Sequence, residues 1–184
     1  MGRTFSLIIF AFFFSNSNAS ELCETLYRAS ELGEYNTVTE IVSSNLSVTS
    51  CAGKWGYTPL HGVVSGHGVL VKGDLDIINY LIKNGANVEA KADGGITPLH
   101  ITPYPEVVDL LVKRGANLDA TDDDGSTAIM FSVEDNNGSA ALLKLLELGA
   151  NVNHRNKRGQ SALDIAYSRE EQDKVKILKK YGAK

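Results

Sequence analysis

Long apolar runs are scarce in this chain. The run Phe5–Phe14 (FSLIIFAFFF) covers about half of a ~30 Å hydrocarbon core at a helical rise of 1.5 Å per residue, so it is too short for a stable membrane span. Charge of one sign is lacking too. Eighteen Lys and Arg stand against 22 Asp and Glu, a net −4, and neither tail carries a charge block. That balance gives no electrostatic case for a nucleic-acid or anionic-membrane partner. Cysteine occurs twice, as Cys23 and Cys51, which fits either one disulfide or two small buried thiols.

The motifs of catalysis and metal binding are missing as well. Gly94-Gly95 and Gly66-His67-Gly68 have neither a preceding buried strand nor a following Lys-Ser/Thr, so they do not read as phosphate loops. The acidic group Asp119, Asp122, Asp123 and Asp124 lacks the alternating oxygen ligands and closing Glu of a calcium loop. His67 follows His61 by six residues, which is neither helical ligand spacing, and no third ligand is near. No serine elbow or Cys–His pair is present. These absences imply no catalytic residue, no metal and no cofactor: not an enzyme.

What is present begins with Arg3, the apolar run and Ser17-Asn18-Ala19. A basic start, a short apolar stretch and small residues before a cleavage point read as a secretory signal over residues 1–19, removed after Ala19. The expected location is therefore secreted or periplasmic, without membrane association once the signal is gone.

The rest of the chain repeats. Gly56-Tyr-Thr-Pro-Leu-His61 recurs as Gly95-Ile-Thr-Pro-Leu-His100, then in degraded form as Gly125-Ser-Thr-Ala-Ile-Met130 and Gly159-Gln-Ser-Ala-Leu-Asp164. The leading glycines lie 39, 30 and 34 residues apart. A second block alternates with the first: Leu81-Ile-Lys-Asn-Gly85-Ala-Asn-Val-Glu89, Leu111-Val-Lys-Arg-Gly115-Ala-Asn-Leu-Asp119 and Leu145-Leu-Glu-Leu-Gly149-Ala-Asn-Val-Asn153, with a stub at Tyr181-Gly182-Ala183-Lys184. Thr58, Thr97, Thr127 and Ser161 are placed to cap helix starts with their hydroxyls, and Pro59 and Pro98 fit the first helical position. Gly85, Gly115, Gly149 and Gly182 fit the left-handed position that ends a helix. Between cap and stop lie two short helices, too short to bury their apolar faces except against neighbouring pairs.

Two different motifs in fixed alternation at this period resemble ankyrin repeats over the whole chain after the signal. The resemblance implies an all-α solenoid of about five helix–turn–helix units joined by β-hairpin-like loops, over residues 20–52, 53–91, 92–121, 122–155 and 156–184. Departures from the pattern are expected to matter. About six residues are inserted around Ser65–Gly73, and Pro103 and Pro105 must truncate the first helix of the third unit. The charge of the last unit (Arg169, Lys174, Lys176, Lys179 and Lys180 among others) suits a wet terminal face.

The resemblance also implies function. In that family, His61 and His100 brace the threonine cap and the adjoining turn, and partners bind the hairpin tips and first helices. Carried over, the partner-binding tips are Lys54, Trp55 and Tyr57; Asp93 and Ile96; Asp123 and Ser126; and Lys157, Arg158 and Gln160. Ser65, Tyr104, Glu134 and Ser168 line the helical part. The order runs from an aromatic tip through an acidic one to a basic one, and Trp and Tyr are enriched as interface anchors. The expectation is a monomer that binds a protein partner. Blocking a secreted enzyme, as an inhibitor or immunity protein does, and acting inside a host cell use the same groove. Finally, helices near 21–32 and 35–44 would be antiparallel. Cys23 at the start of one and Cys51 just past the other can then approach within disulfide range in an oxidising compartment.

Overall fold

The computed structural model describes residues 19–65 and 72–184. Residues 1–18 of the signal expected over 1–19, and residues 66–71 of the expected insertion, with His67, lie outside the described residues. Among the described residues ten α-helices follow in order: α1 (Ala19–Glu31), α2 (Tyr35–Ser44), α3 (Pro59–Ser65), α4 (Lys72–Lys83), α5 (Pro98–Ile101), α6 (Pro105–Lys113), α7 (Ala128–Glu134), α8 (Ser139–Glu147), α9 (Ala162–Ser168) and α10 (Gln172–Lys180). α1 packs on α2, α3 on α4, α7 on α8 and α9 on α10 within their units. The first helices stack as one layer, α1 on α3, α3 on α5, α5 on α7 and α7 on α9, while α2–α4 and α6–α8 contacts build the second layer. No described helix is long and apolar enough to cross a membrane.

Successive pairs pack their apolar faces together, so one core runs the length of the described stack. Leu26, Ile41, Leu60, Ile78, Leu99, Leu111, Ile129 and Leu142 are all buried in it. The helix stops work as the sequence suggests. Gly115 sits at φ 97°, where its N–H donates to Val112 O (3.0 Å) and Ala116 N–H donates to Leu111 O (3.0 Å). This turn satisfies the last carbonyls of α6 and needs a left-handed residue.

Prolines shape one unit differently. α5 ends after four residues where α3, α7 and α9 run seven. Pro103 and Pro105 lack the N–H groups that would continue it, and each disfavours helical backbone in the residue before it. Pro105 instead opens α6 at its first position, with Tyr104 as the cap residue.

The bridge between Cys23 and Cys51 is formed, with Cα atoms 5.9 Å apart. It ties the buried start of α1 to the loop that leaves the first helix pair.

Lys174 corrects the expectation of a wet terminal face. Arg169, Lys176, Lys179 and Lys180 are exposed, but Lys174 is only 1% exposed. It lies eight residues before Gly182, as Ile77 and Val107 lie before Gly85 and Gly115, so it points into the preceding pair. Its ammonium donates to Val133 O (2.9 Å) and Asp135 O (2.5 Å) and stands 3.7 Å from Glu171 Oε1. Lys174→Ala should therefore destabilise by about 2–4 kcal/mol, through the lost stem packing and the carbonyls left unpaired. Lys176→Ala, whose side chain is solvent-exposed, should stay within about 0.5 kcal/mol in the same denaturant titration.

Candidate interaction surface

Four finger-like turns precede α3, α5, α7 and α9. Each is closed across its base by a backbone bond: Gly53 N to Tyr57 O (2.8 Å), Ala92 N to Ile96 O (2.8 Å), Asp122 N to Ser126 O (3.0 Å) and Asn156 N to Gln160 O (3.0 Å). Among the described residues the fingers carry one isolated β-bridge, Thr121 to Thr127. Adjacent fingers are stitched together. Asp123 N–H donates to Gly94 O (2.7 Å) and Lys157 N–H to Asp124 O (2.9 Å). No equivalent backbone bond joins Trp55 to Asp93, although Gly56 packs closely against Ala92 and Asp93 of the second finger.

The bases of the first two fingers are braced by a histidine of the helix behind them. Thr58 N–H donates to His61 Nδ1 (3.2 Å), and the Thr58 hydroxyl lies 2.8 Å from the same nitrogen. Nε2 meets Ile96 O of the next finger at 3.1 Å. A carbonyl only accepts, so Nε2 carries the proton and the ring is neutral. His100 repeats the arrangement with Thr97 (3.1 and 2.8 Å) and Ser126 O (3.1 Å). Burial lowers both pKa values, that of His61 to about 4, against the smaller raising effect of the carbonyl bonds.

The caps in the two degraded copies differ. Ser161 caps as expected: its hydroxyl accepts from Asp164 N–H (3.1 Å), and Asp164 Oδ2 accepts from Ser161 N–H (2.9 Å). These bonds from Ser161 hold the Asp164 carboxyl below its ordinary range, aided by Arg155. Thr127 is a correction. It occupies the cap position, but its buried hydroxyl has no partner, because the histidine that would meet it is replaced by the apolar Met130.

The tips are placed as follows. Trp55 is 62% exposed, with Lys54 Nζ 5.3 Å from its ring centroid. Its backbone is left-handed, φ 63° and ψ 23°, a conformation found at Gly94 (φ 78°) in the same place on the next finger. A bulky side chain there strains the backbone by roughly 1–2 kcal/mol. Asp93, Asp123, Lys157 and Arg158 are exposed, whereas Tyr57, Ile96 and Gln160 are half-buried. Tyr57 turns its ring edge to His61, centroids 5.3 Å apart. Lys157 Nζ is occupied by Asp123 O (2.5 Å). Ser126 is the second correction. It is buried, its N–H held by Asp122 Oδ1 (2.7 Å) and its carbonyl by His100, so its backbone is not open to a partner. In the helical layer Ser65 and Tyr104 are half-buried, and Glu134 and Ser168 are exposed.

A second ladder escaped the sequence reading. Glu89 Oε1 accepts from Asn117 N–H (2.9 Å), Asp119 Oδ1 from Asn151 N–H (2.8 Å) and Asn153 Oδ1 from Lys184 N–H (3.0 Å). The signal was the last letter of the Gly-Ala-Asn block, always a side-chain acceptor. Asp119 is thus structural. Among the described residues no group of His, Cys, Asp and Glu is placed to hold a metal ion.

Stacked helix pairs, fingers stitched edge to edge and threonine–histidine braces match one known architecture, and the comparison with protein families agrees. The ankyrin-repeat model matches residues 55–93, and the model for three ankyrin repeats matches residues 102–184. The chain belongs to the ankyrin-repeat family. Curated relatives include the 2-5A-dependent ribonuclease of Mus musculus, 31% identical over 77 residues, which is 42% of this chain and 10% of the ribonuclease. Ankyrin repeat and MYND domain-containing protein 1 of Mus musculus is 33% identical over 79 residues, 43% of this chain and 8% of that protein. Alpha-latrocrustotoxin-Lt1a of Latrodectus tredecimguttatus is 30% identical over 76 residues, 41% of this chain and 5% of the toxin. This chain therefore spans a tenth or less of these relatives. Ankyrin repeats generally mediate protein–protein interaction.

Proposed function

We propose that this protein is an exported ankyrin scaffold without catalytic activity, which binds a protein partner through its finger tips, with Trp55 as the anchor. One observation carries the reading. A tryptophan stands exposed on a strained backbone where the neighbouring finger has glycine. Such strain lowers stability and persists where it serves a site. On the three fingers that follow stand Asp93, Asp123 and Arg158, whose exposed charges set the approach of a partner. Tyr57 supports the tip through His61 more than it contacts a partner. Export rests on the signal-like residues 1–19 and agrees with the Cys23–Cys51 bridge, which requires an oxidising compartment. The test is capture from an extract of the native compartment, with the wild-type protein and Trp55→Ala as parallel baits. A partner held by wild type and lost by about 2 kcal/mol or more in the variant is the expected outcome. Equal capture by both removes Trp55 from the site.

A further inference from the structure

The layer of first helices has a gap. With α5 cut at Ile101, one helical turn is missing between the end of α3 and the end of α7. The space forms a cleft of about 510 Å³ with Ser65 on one side, Asp135 on the other, Ala140 at the rim and Ile101, Pro103 and Tyr104 as its floor. It opens at the end of these helices away from the finger tips.

Its chemistry is mixed in a particular way. The floor is apolar and aromatic. The exposed Asp135 gives one carboxylate oxygen to Asn137 N–H (3.0 Å) and makes no ion pair with the described residues. Among the described residues no Lys or Arg lines the cleft. Burial raises the Tyr104 phenol, and the carboxylates of Asp74 and Asp135 raise it further, so two negative charges act on the ring's polar end.

The acidic wall is also held rigid before anything binds. Lys174 grips the carbonyls of Val133 and Asp135 (2.9 and 2.5 Å), and Arg169 donates to Glu134 O (2.9 Å). Gly138 packs so tightly that a Cβ there would lie 2.1 Å from Ser132 O. A carboxylate fixed in this way loses little freedom on binding.

We propose that the cleft receives a cationic side chain of the protein partner, arginine before lysine, with its stem across Pro103 and its guanidinium between the Tyr104 ring and Asp135. A planar guanidinium both stacks on an aromatic ring and forks to a carboxylate, which a lysine ammonium does not. The proposal rests on the protein-binding reading above but is read out without the partner.

The experiment titrates the purified protein with acetyl-Gly-Arg-Gly-amide while following its NMR spectrum. The citrulline tripeptide, isosteric and neutral, is the comparison. Signals of Ile101, Asn137 and Ala140 should shift with the arginine peptide and hardly with citrulline. Asp135→Asn, which keeps an acceptor for Asn137, should weaken binding about fivefold or more. Ala140→Phe, which plugs the rim from an exposed position, should abolish it while leaving the remaining spectrum in place. Equal shifts with citrulline, shifts confined to Asp93, Asp123 and Asp124, or an unchanged response in both variants would each overturn the proposal. None of these outcomes touches the capture result at Trp55, so the two readings fail separately.

Discussion

Reducing the Cys23–Cys51 bridge should lower stability by roughly 3–4 kcal/mol, the chain-entropy value for a loop of this size, since the two cysteines are 28 positions apart. The site of the loss is as specific as its size. α1 packs on α2 and α3, and no described helix covers its other side, so it is the place where a stack of repeats frays first. The bridge fastens that helix at Cys23, which is buried. Equilibrium urea unfolding with and without reductant, alongside the Cys23→Ser/Cys51→Ser variant, gives the number. Hydrogen exchange at Leu22, Leu26 and Ala29 should accelerate before any change at Leu111 or Leu142. Two free thiols in protein freshly isolated from its native compartment, or midpoints indifferent to reductant, would contradict the bridge's role.

Acid should weaken the fold in a defined window. His61 has a folded-state pKa of about 4 against an ordinary 6.5, so the unfolded chain binds the extra proton more readily. Stability is complete above about pH 6.5 and is lost as pH falls toward 4, by about 2 kcal/mol at pH 5 and about 3 kcal/mol in full. His100 is shifted in the same direction by burial and adds to the loss. Burial is the main cause, and Nδ1 also faces the Thr58 N–H, which a second ring proton would meet. Urea midpoints at pH 7.5, 6 and 5 measure the effect. His61→Gln, which retains one acceptor and one donor, should flatten the profile. An unchanged midpoint down to pH 5 would mean that His61 is not the buried neutral brace described here.

Much of this was legible from the chain itself. Thr-Pro-Leu-His at Thr58–His61 and Thr97–His100, together with the glycine stops, set the helix pairs, because caps and left-handed turns are local devices that neighbours do not override. Pro103 and Pro105 announced the short α5 for the same reason. The cysteine pairing followed from two antiparallel helices of readable length. What was hidden depends on the neighbouring repeat. Lys174 looks like one more surface lysine, and only its register against Gly182 and the free carbonyls after α7 show that it is buried. Ser126 looks like a tip residue, yet its backbone is consumed by Asp122 and by His100 from the preceding repeat. The orphaned Thr127 hydroxyl follows from Met130, a substitution whose effect appears only with the cap geometry in view. The exposure of Trp55 had no local signal, since a tryptophan beside an open repeat end packs inward or points outward according to tertiary contacts.

The most direct test of the central claim is Trp55→Gly, measured for stability and for affinity toward the captured partner. Glycine relieves the left-handed strain, so the variant should be more stable by about 1 kcal/mol, while binding weakens by about 2 kcal/mol or more. Opposite signs in the two measurements are the signature of a strained residue kept for recognition. A variant that loses stability and keeps full affinity would mean that Trp55 serves the fold, and that the finger row is not the binding surface.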